Sequence, residues 1–320
     1  MVWLKKGRDF MNKINLIKEE LKKAVLGKDE VLDYLLVALL SQGHILLEDI
    51  PGVGKTNMAI ALTKATQLDY QRVQLTSDVL PSDLLGYSVY SMEDKEMIYK
   101  KGPILTNIFL ADEINRTSSK TQSALLQVME EGIVTVDGKT YHTPDPFMVI
   151  ATQNPFGSAG TQLLPDSQLD RFMMKLSLGY PDKESEIEII RRKRLGNPIN
   201  NINAIVSSKD IVEMQKEVEK VYISKDIEQY IVEIVQASRN HSSIVQGASP
   251  RASIALMKAS LAYAYIHDRD YVIDDDIKAL LYPILNHRFI LSSHVQQNED
   301  TYKKIFDDIL KTVPPIQYKP

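Results

Sequence analysis

The sequence predicts an α/β protein, a mainly parallel five-stranded sheet covered by helices on both faces, followed by an all-helical second domain. Three observations predict it. Short apolar runs alternate with helical stretches between residues 45 and 178, the pattern of strands joined by crossover helices. The first of these runs leads directly into Pro51-Gly52-Val53-Gly54-Lys55-Thr56, a glycine-containing loop that opens a helix. Beyond Pro181 only helical periodicity is found.

In chain order, Ile14, Ile17, Leu21 and Val25 recur three or four residues apart and predict a helix over 14–25. The preceding residues carry Lys5, Lys6 and Arg8 without an apolar core, so 1–13 are expected to form an N-terminal extension and not a signal peptide. Gly27 ends the helix, and a second runs over 30–41. Ile45-Leu46-Leu47 reads as a buried strand, with a helix from the glycine loop to Gln67. Strands are expected over 72–75, 108–110, 147–152 and 174–178, with a short helix or loop over 78–85 and a helix over 120–131 stopped by Gly132. Asp137-Gly138, between 134–136 and 139–141, fits a two-residue hairpin turn, since both positions must tolerate positive φ. Amphipathic helices follow over 183–195, 208–219, 225–240, 251–267 and 274–285. The expected boundaries are therefore a large αβα domain over 14–181 and an all-α domain over 182–320.

Bulk composition narrows the function. The 320 residues suffice for two domains of ordinary size, and 44% hydrophobic with 25% charged residues is a globular composition. A net charge of -4 gives no overall basic surface for nucleic acid, though composition leaves a local basic pore open. With no cysteine, disulfides, thiolate metal sites and cysteine nucleophiles are excluded, which suits a cytoplasmic protein. The apolar runs at 35–40 and 104–108 are too short to span a bilayer. The six histidines have no metal-ligand spacing, the basic run 191–194 reads as a solvated helix face, and Tyr263, Tyr265 and Tyr271 are expected to pack the second domain's core.

Five elements carry chemistry. In the glycine loop, backbone amides can approach phosphate oxygens closely, with Lys55 reaching the β- and γ-phosphates and the Thr56 hydroxyl holding Mg²⁺. The position where the phosphate-loop pattern has its first glycine is Asp49, a carboxylate tolerable near phosphates only if it points away. The strand Ile108-Phe109-Leu110-Ala111 ends in Asp112-Glu113, which places a metal-binding acid and a water-activating base at the sheet's carboxyl edge. Asn154, at the tip of Val149-Ile150-Ala151-Thr152-Gln153, reads either as a positioner of the attacking water or as a turn-forming Asn before Pro155. Arg171 reads as an arginine finger or as a surface ion-pair partner of Asp170 or Asp166. Arg251, after Ser249-Pro250 at a helix start, reads as a γ-phosphate contact or as a solvated arginine, the latter disfavoured beside the positive end of a helix dipole.

In this order the five elements resemble the AAA+ superfamily. Residues 43–56, Ala111-Asp112-Glu113-Ile114-Asn115-Arg116, residues 124–131, Ala151-Thr152-Gln153-Asn154-Pro155, Leu164-Pro165-Asp166, Leu169-Asp170-Arg171-Phe172 and Ser249-Pro250-Arg251 resemble the MoxR family in particular, where Asp at position 49 is usual. The resemblance covers roughly residues 14–290 and implies an AAA+ P-loop αβα sandwich with a helical lid. It implies Walker A at Gly52, Gly54, Lys55 and Thr56, flanked by Pro51, Val53 and Asn57, and Walker B at Asp112 and Glu113. It further implies sensor 1 at Asn154, an arginine finger at Arg171, sensor 2 at Arg251, and Val25 and Gly27 near an adenine. ATP/ADP and Mg²⁺ are the implied cofactors, with Thr56 and Asp112 at the metal. An insert over about 83–102 and a hairpin over about 132–143 correspond to elements that face the pore of related rings.

The function expected from this resemblance is a chaperone-like ATP hydrolase, a homo-hexamer with ATP between subunits, acting on a protein client such as a von Willebrand factor A domain protein. Two alternatives stay open. A nucleic-acid-associated motor shares the insert and hairpin, though the net charge opposes it. A nucleotide-gated binding switch would turn over little.

Overall fold

The computed structural model describes residues 2–154 and 164–314, so Pro155 of the Asn154-Pro155 pair lies outside the described residues. The chain opens with α1 (Val2–Ala24) and α2 (Asp29–Leu40), then β1 (Ile45–Glu48), α3 (Lys55–Thr66), β2 (Tyr70–Gln74) and α4 (Pro81–Leu85). It continues through β3 (Gly86–Ser91), β4 (Glu96–Lys101), β5 (Ile108–Asp112), a 3₁₀ turn (Ile114–Arg116), α5 (Ser119–Glu131), β6 (Ile133–Val136), β7 (Lys139–His142) and β8 (Met148–Gln153). Then come α6 (Asp166–Leu169), β9 (Met174–Leu176), α7 (Lys183–Leu195), a second 3₁₀ turn (Pro198–Asn201), α8 (Ser208–Val218) and α9 (Lys225–Arg239). The last elements are β10 (Ile244–Gln246), α10 (Pro250–Ile266), α11 (Asp274–Leu285), β11 (Ile290–Leu291) and α12 (Glu299–Thr312).

Two compact units result, and neither is one continuous stretch of chain. The first comprises Met1–Leu32, His44–Leu164 and Leu176–Glu213; the second comprises Asp33–Gly43, Pro165–Lys175 and Met214–Pro320.

The first unit holds β2, β5, β8 and β1 of a five-stranded sheet whose order is β2-β5-β8-β1-β9, with parallel registers such as Leu110↔Ile150 and Leu46↔Ala151. Every residue of β5 and β8 is buried, as a strand covered on both faces requires. Met58, Ala59, Ala61, Leu62 and Ala65 of α3, and Leu125, Leu126, Val128 and Met129 of α5, are buried as well. His44, immediately before β1, ties three elements together. Its Nδ1 accepts the Val149 N–H at 3.0 Å and its Nε2–H donates to the Met129 carbonyl at 2.9 Å. Complete burial holds this imidazole neutral, with a pKa lowered to about 4.

Two predicted features of this unit take a different form. Helix α1 starts at Val2 and runs unbroken to Ala24, so residues 2–13 are continuous with the helix expected from Ile14. The insert over 83–102 contains an antiparallel hairpin, β3 with β4, which the sequence reading does not resolve into strands. Its base is so tight that Gly86, at φ 88°, could not carry a Cβ, which would lie 2.2 Å from the Lys100 carbonyl oxygen. The second hairpin agrees with expectation: Val136 pairs Lys139 across Asp137 and Gly138, at φ 50° and 74°.

In the second unit α9, α10, α11 and α12 pack around Ile227, Ile231, Leu256, Leu280, Ile284 and Ile309, all buried. Among the described residues the end of strands after Pro181 holds except for one short ribbon, β10 against β11. Helix α12 lies beyond the last helix expected from the sequence; its Tyr302, Ile305, Phe306 and Ile309 share one helical face and are buried. Tyr271 is a correction: it is 50% exposed and does not pack the core.

Candidate functional site

The sheet order sets the carboxyl ends of β1, β8 and β5 side by side, with β8 in the middle. Leaving β1, the chain makes the glycine loop. Gly52 and Gly54 have φ of 91° and 103°, and a Cβ added to either would meet no atom within 4 Å. Backbone angle therefore demands glycine here, and open space remains beside the loop. Gly54 caps α3 and Lys55 is its first residue, so the unpaired N–H groups of a helix start lie at this loop.

The Lys55 ammonium donates to the loop's own carbonyls, Asp49 at 2.7 Å and Ile50 at 3.2 Å. Burial lowers its pKa, opposed by the nearby charges of Asp49, Asp112 and Glu113. Asp49 itself is buried and turned away from the loop. Its carboxylate accepts Ser177 Oγ–H at 2.7 Å, Leu178 N–H at 2.8 Å and Gly179 N–H at 3.0 Å, tying the loop to the segment after β9.

At the end of β5 the two acids diverge. Asp112 Oδ1 accepts the Thr152 hydroxyl at 2.6 Å, and the same hydroxyl oxygen accepts the Glu113 N–H at 2.9 Å. One threonine of β8 thus fixes both acids. Glu113 leaves the strand in the left-handed region, at φ 58°. That change of direction separates the carboxylates, and each meets an arginine: Arg72 Nη2 is 2.6 Å from Asp112 Oδ2, and Arg116 Nη1 is 2.6 Å from Glu113 Oε2.

The tip of β8 completes the arrangement. Asn115 donates to the Asn154 carbonyl at 3.3 Å, and Gln153 Nε2 donates to Glu48. Gln153 Oε1 is buried and has no hydrogen-bond partner among the described residues. A cavity of about 360 Å³ is lined by Gly52, Gly54, Lys55, Thr56, Arg72, Asp112, Glu113 and Asn154, together with Asp49, Pro51, Asn57, Gln74, Thr152 and Gln153.

In the second unit Arg171 follows α6, and Arg251 lies in the first turn of α10, whose N-cap is Ser249. Asp170 links their neighbourhoods. Its Oδ1 accepts Arg288 Nε–H at 2.8 Å and its Oδ2 accepts the Ser249 hydroxyl at 2.8 Å.

Comparison with known proteins gives this geometry a family. Residues 44–174 match the model of the ATPase family associated with various cellular activities (AAA), and 236–309 match an AAA lid domain. The chain is 48% identical to the uncharacterized protein YeaC of Bacillus subtilis, over 93% of this chain and 94% of that protein. It is 36% identical to Chaperone MoxR1 of Mycobacterium tuberculosis, over 92% of this chain and 80% of that one. It belongs to the MoxR family of AAA+ ATPases. The crystal structure of a presumed ATPase from Cytophaga hutchinsonii superposes on this MoxR-family chain with a TM-score of 0.90, at 40% identity, covering 99% of this chain and 98% of the other.

Of the predicted site residues of this MoxR-family protein, Pro51, Gly52, Gly54, Lys55, Thr56, Asn57, Asp112, Glu113 and Asn154 line one cavity. Val53 stands in the same loop, but it, Val25 and Gly27 are not among the lining residues. Val25 is buried at the end of α1, and Gly27 turns the chain at φ 67°. Arg171 and Arg251 belong to the second unit. Sequence reading missed Arg72, Arg116 and Thr152. Thr152 had a signal, a lone hydroxyl closing the apolar run Val149-Ile150-Ala151; the two arginines are recognisable only once β2 pairs with β5 and the chain turns at Glu113.

Proposed function

We propose that this chain hydrolyses ATP and uses the cycle to remodel or activate partner proteins, working as a homo-hexameric ring. The observation that carries this reading is the convergence of a glycine loop, a helix start, Lys55, two strand-end acids and Asn154 on one cavity. The residues fit the nucleotide and metal. Open space beside Gly52 and Gly54 suits a phosphate chain, and the orphaned Gln153 Oε1 suits a bound water or donor. Thr56 and Asp112 are hard oxygen donors of the type Mg²⁺ takes. That sparse set fits a metal that keeps waters and phosphate oxygens as its remaining ligands.

In this reading Lys55 leaves the Asp49 and Ile50 carbonyls to hold the β- and γ-phosphates, and the Thr56 hydroxyl and Asp112 hold Mg²⁺. Bound Mg²⁺ supplies charge neutralisation at the phosphates. Glu113 takes the proton of the attacking water, which Asn154 orients, and Arg171 and Arg251 neutralise charge on the γ-phosphate. Loop residues Pro51, Val53 and Asn57 contact the nucleotide, with Val25 and Gly27 near its base. The name of the M. tuberculosis relative, a chaperone, supports a protein client, in our reading one with a von Willebrand factor A domain. So do the exposed Tyr87, Tyr90, Met92 and Met97 around the β3–β4 hairpin, an apolar surface suited to peptide segments. Among the described residues no helix is long and apolar enough to cross a membrane.

A second reading, a nucleotide-gated switch with little turnover, is favoured by the arginines on both acids and by Lys55 bonding its own loop. Steady-state phosphate release measured across protein concentration, with Mg²⁺, separates the two. The ring hydrolase predicts specific activity that rises with concentration and is lost in Lys55→Ala, Glu113→Gln and Arg171→Ala. Turnover near background in the wild type, with tight ATP binding, would establish the switch; turnover unchanged in Glu113→Gln would remove the assigned base.

A further inference from the structure

Arg288 is a buried side chain of the second unit whose polar atoms are all satisfied. It is 9% exposed, and all five of its N–H donors are used. Nε donates to Asp170 Oδ1 at 2.8 Å, and Nη2 donates to the carbonyls of Phe172 at 2.7 Å and Asp170 at 3.4 Å. Nη1 donates to the Met173 carbonyl at 3.0 Å and to that of Ile284. Four of these five bonds grip residues 170–173, the segment that carries Arg171. His287 adds a ring-nitrogen bond to the Phe172 carbonyl at 3.0 Å.

The other oxygen of Asp170 reaches a different element. Ser249 donates its hydroxyl proton to Asp170 Oδ2 at 2.8 Å, while its oxygen accepts the Arg251 N–H at 3.2 Å as the cap of α10. One carboxylate therefore joins the residue before Arg171 to the residue that caps the helix bearing Arg251. Arg251 is also close enough to Arg288 for their charges to repel. Arg288 and Ser249 each take one oxygen of this carboxylate.

We propose that Asp170, clamped by Arg288, is a positioning residue that couples Arg171 to Arg251, so that the two arginines meet the γ-phosphate as one preset pair. The inference rests on the proposed roles of those two arginines and deepens them. Neither Asp170 nor Arg288 touches nucleotide in this scheme. Their effect is geometric: the strand-side segment and the first turn of α10 move together, and a shift of either arginine is a shift of both.

The test is a mutant cycle on the full-length protein at a concentration that saturates its ATPase activity. Asp170→Asn keeps the shape and an acceptor but removes the charge that orders Arg288. It should lower kcat for ATP on the order of tenfold to a hundredfold, the cost of misplacing a reacting group by about an ångström. Affinity for ADP, which has no γ-phosphate, should stay within about twofold, since only γ-phosphate contacts are disturbed. Adding Arg171→Ala or Arg251→Ala to Asp170→Asn should cost far less than either costs alone. Fully multiplicative losses, or a normal kcat in Asp170→Asn, would overturn the coupling while leaving both arginines in their roles. If Arg171→Ala and Arg251→Ala themselves keep the wild-type kcat, the assignment of the arginines has failed and the coupling falls with it. Ser249→Ala, at a half-exposed position, carries the same cycle if Asp170→Asn does not fold.

Discussion

The carboxylate of Asp49 accepts the backbone N–H of Leu178 at 2.8 Å, with Gly179 N–H and Ser177 Oγ–H as its other donors. The residue that departs from the glycine pattern is thus a fastener at the base of the phosphate loop. Asp49→Gly, which restores the glycine, should therefore weaken the protein. It strips a buried acceptor from three donors, a loss of about 2–4 kcal/mol for charge-assisted bonds to buried groups. Urea denaturation of Asp49→Gly and Asp49→Asn would check this, with Asn falling between glycine and wild type. A glycine variant as stable as wild type would show that the three bonds contribute nothing net.

Arg72 and the metal compete for one oxygen if Asp112 holds Mg²⁺ as proposed. The pair is close, but Arg72 is 45% exposed, so it is worth no more than about 1 kcal/mol. Replacing Arg72 with Gln should lower the Mg²⁺ concentration that half-saturates ATP turnover by about two- to fivefold, the equivalent of that energy. Titration with Mg²⁺ at fixed ATP reads it directly. A raised Mg²⁺ requirement would mean that Arg72 orients Asp112 for the metal and does not compete with it.

Much of this site was legible because its chemistry sits at strand ends, and buried strands announce themselves as apolar runs. Ile45-Leu46-Leu47, Ile108-Phe109-Leu110-Ala111 and Val149-Ile150-Ala151 located the loop, the acids and Asn154 before any pairing was known. In the folded chain β8 lies between β5 and β1, which brings the three strand ends together. Polar partners from distant sequence were not legible. Arg72 and Asp112 are 40 residues apart, Asp170 and Arg288 are 118 apart, and no local pattern links them. The β3–β4 hairpin escaped for another reason. Its strands are half-exposed and mixed in polarity, so neither a continuous apolar run nor clean alternation marks them.

His44 makes stability depend on pH with a definite sign. Its pKa is lowered from 6.5 to about 4 by burial, so between those values the unfolded chain binds the proton and the folded one does not. The contribution is complete above pH 6.5 and is lost as pH falls towards 4. Between pH 7 and pH 5 the loss should be roughly 2 kcal/mol from this one group. His287 acts in the same direction, its pKa also lowered by burial, so the wild-type slope exceeds that of His44 alone. Comparing urea midpoints at pH 7 and pH 5 for wild type and His44→Gln isolates the term: the variant should be less stable at pH 7 yet lose less on acidification. Parallel losses in the two proteins would mean that His44 is protonated in the fold.

Arg288 tests whether a buried guanidinium can be replaced by another cation. Lysine keeps the charge opposite Asp170 but brings three donors to a site with five acceptors, and its ammonium cannot reproduce the planar fork. At least two carbonyls among those of Asp170, Phe172, Met173 and Ile284 would lose the bond that Arg288 gives them. Arg288→Lys should therefore cost roughly 2–3 kcal/mol. Arg288→Met should cost about 3–5 kcal/mol, because it leaves the Asp170 carboxylate without its cation in a mostly buried position. Thermal or urea unfolding of the three proteins gives the order wild type, Lys, Met. If Lys were as stable as wild type, charge alone would account for Arg288 and the five-donor grip would be dispensable; if Met were the more stable of the two variants, burial of the ion pair would be a net burden on the fold.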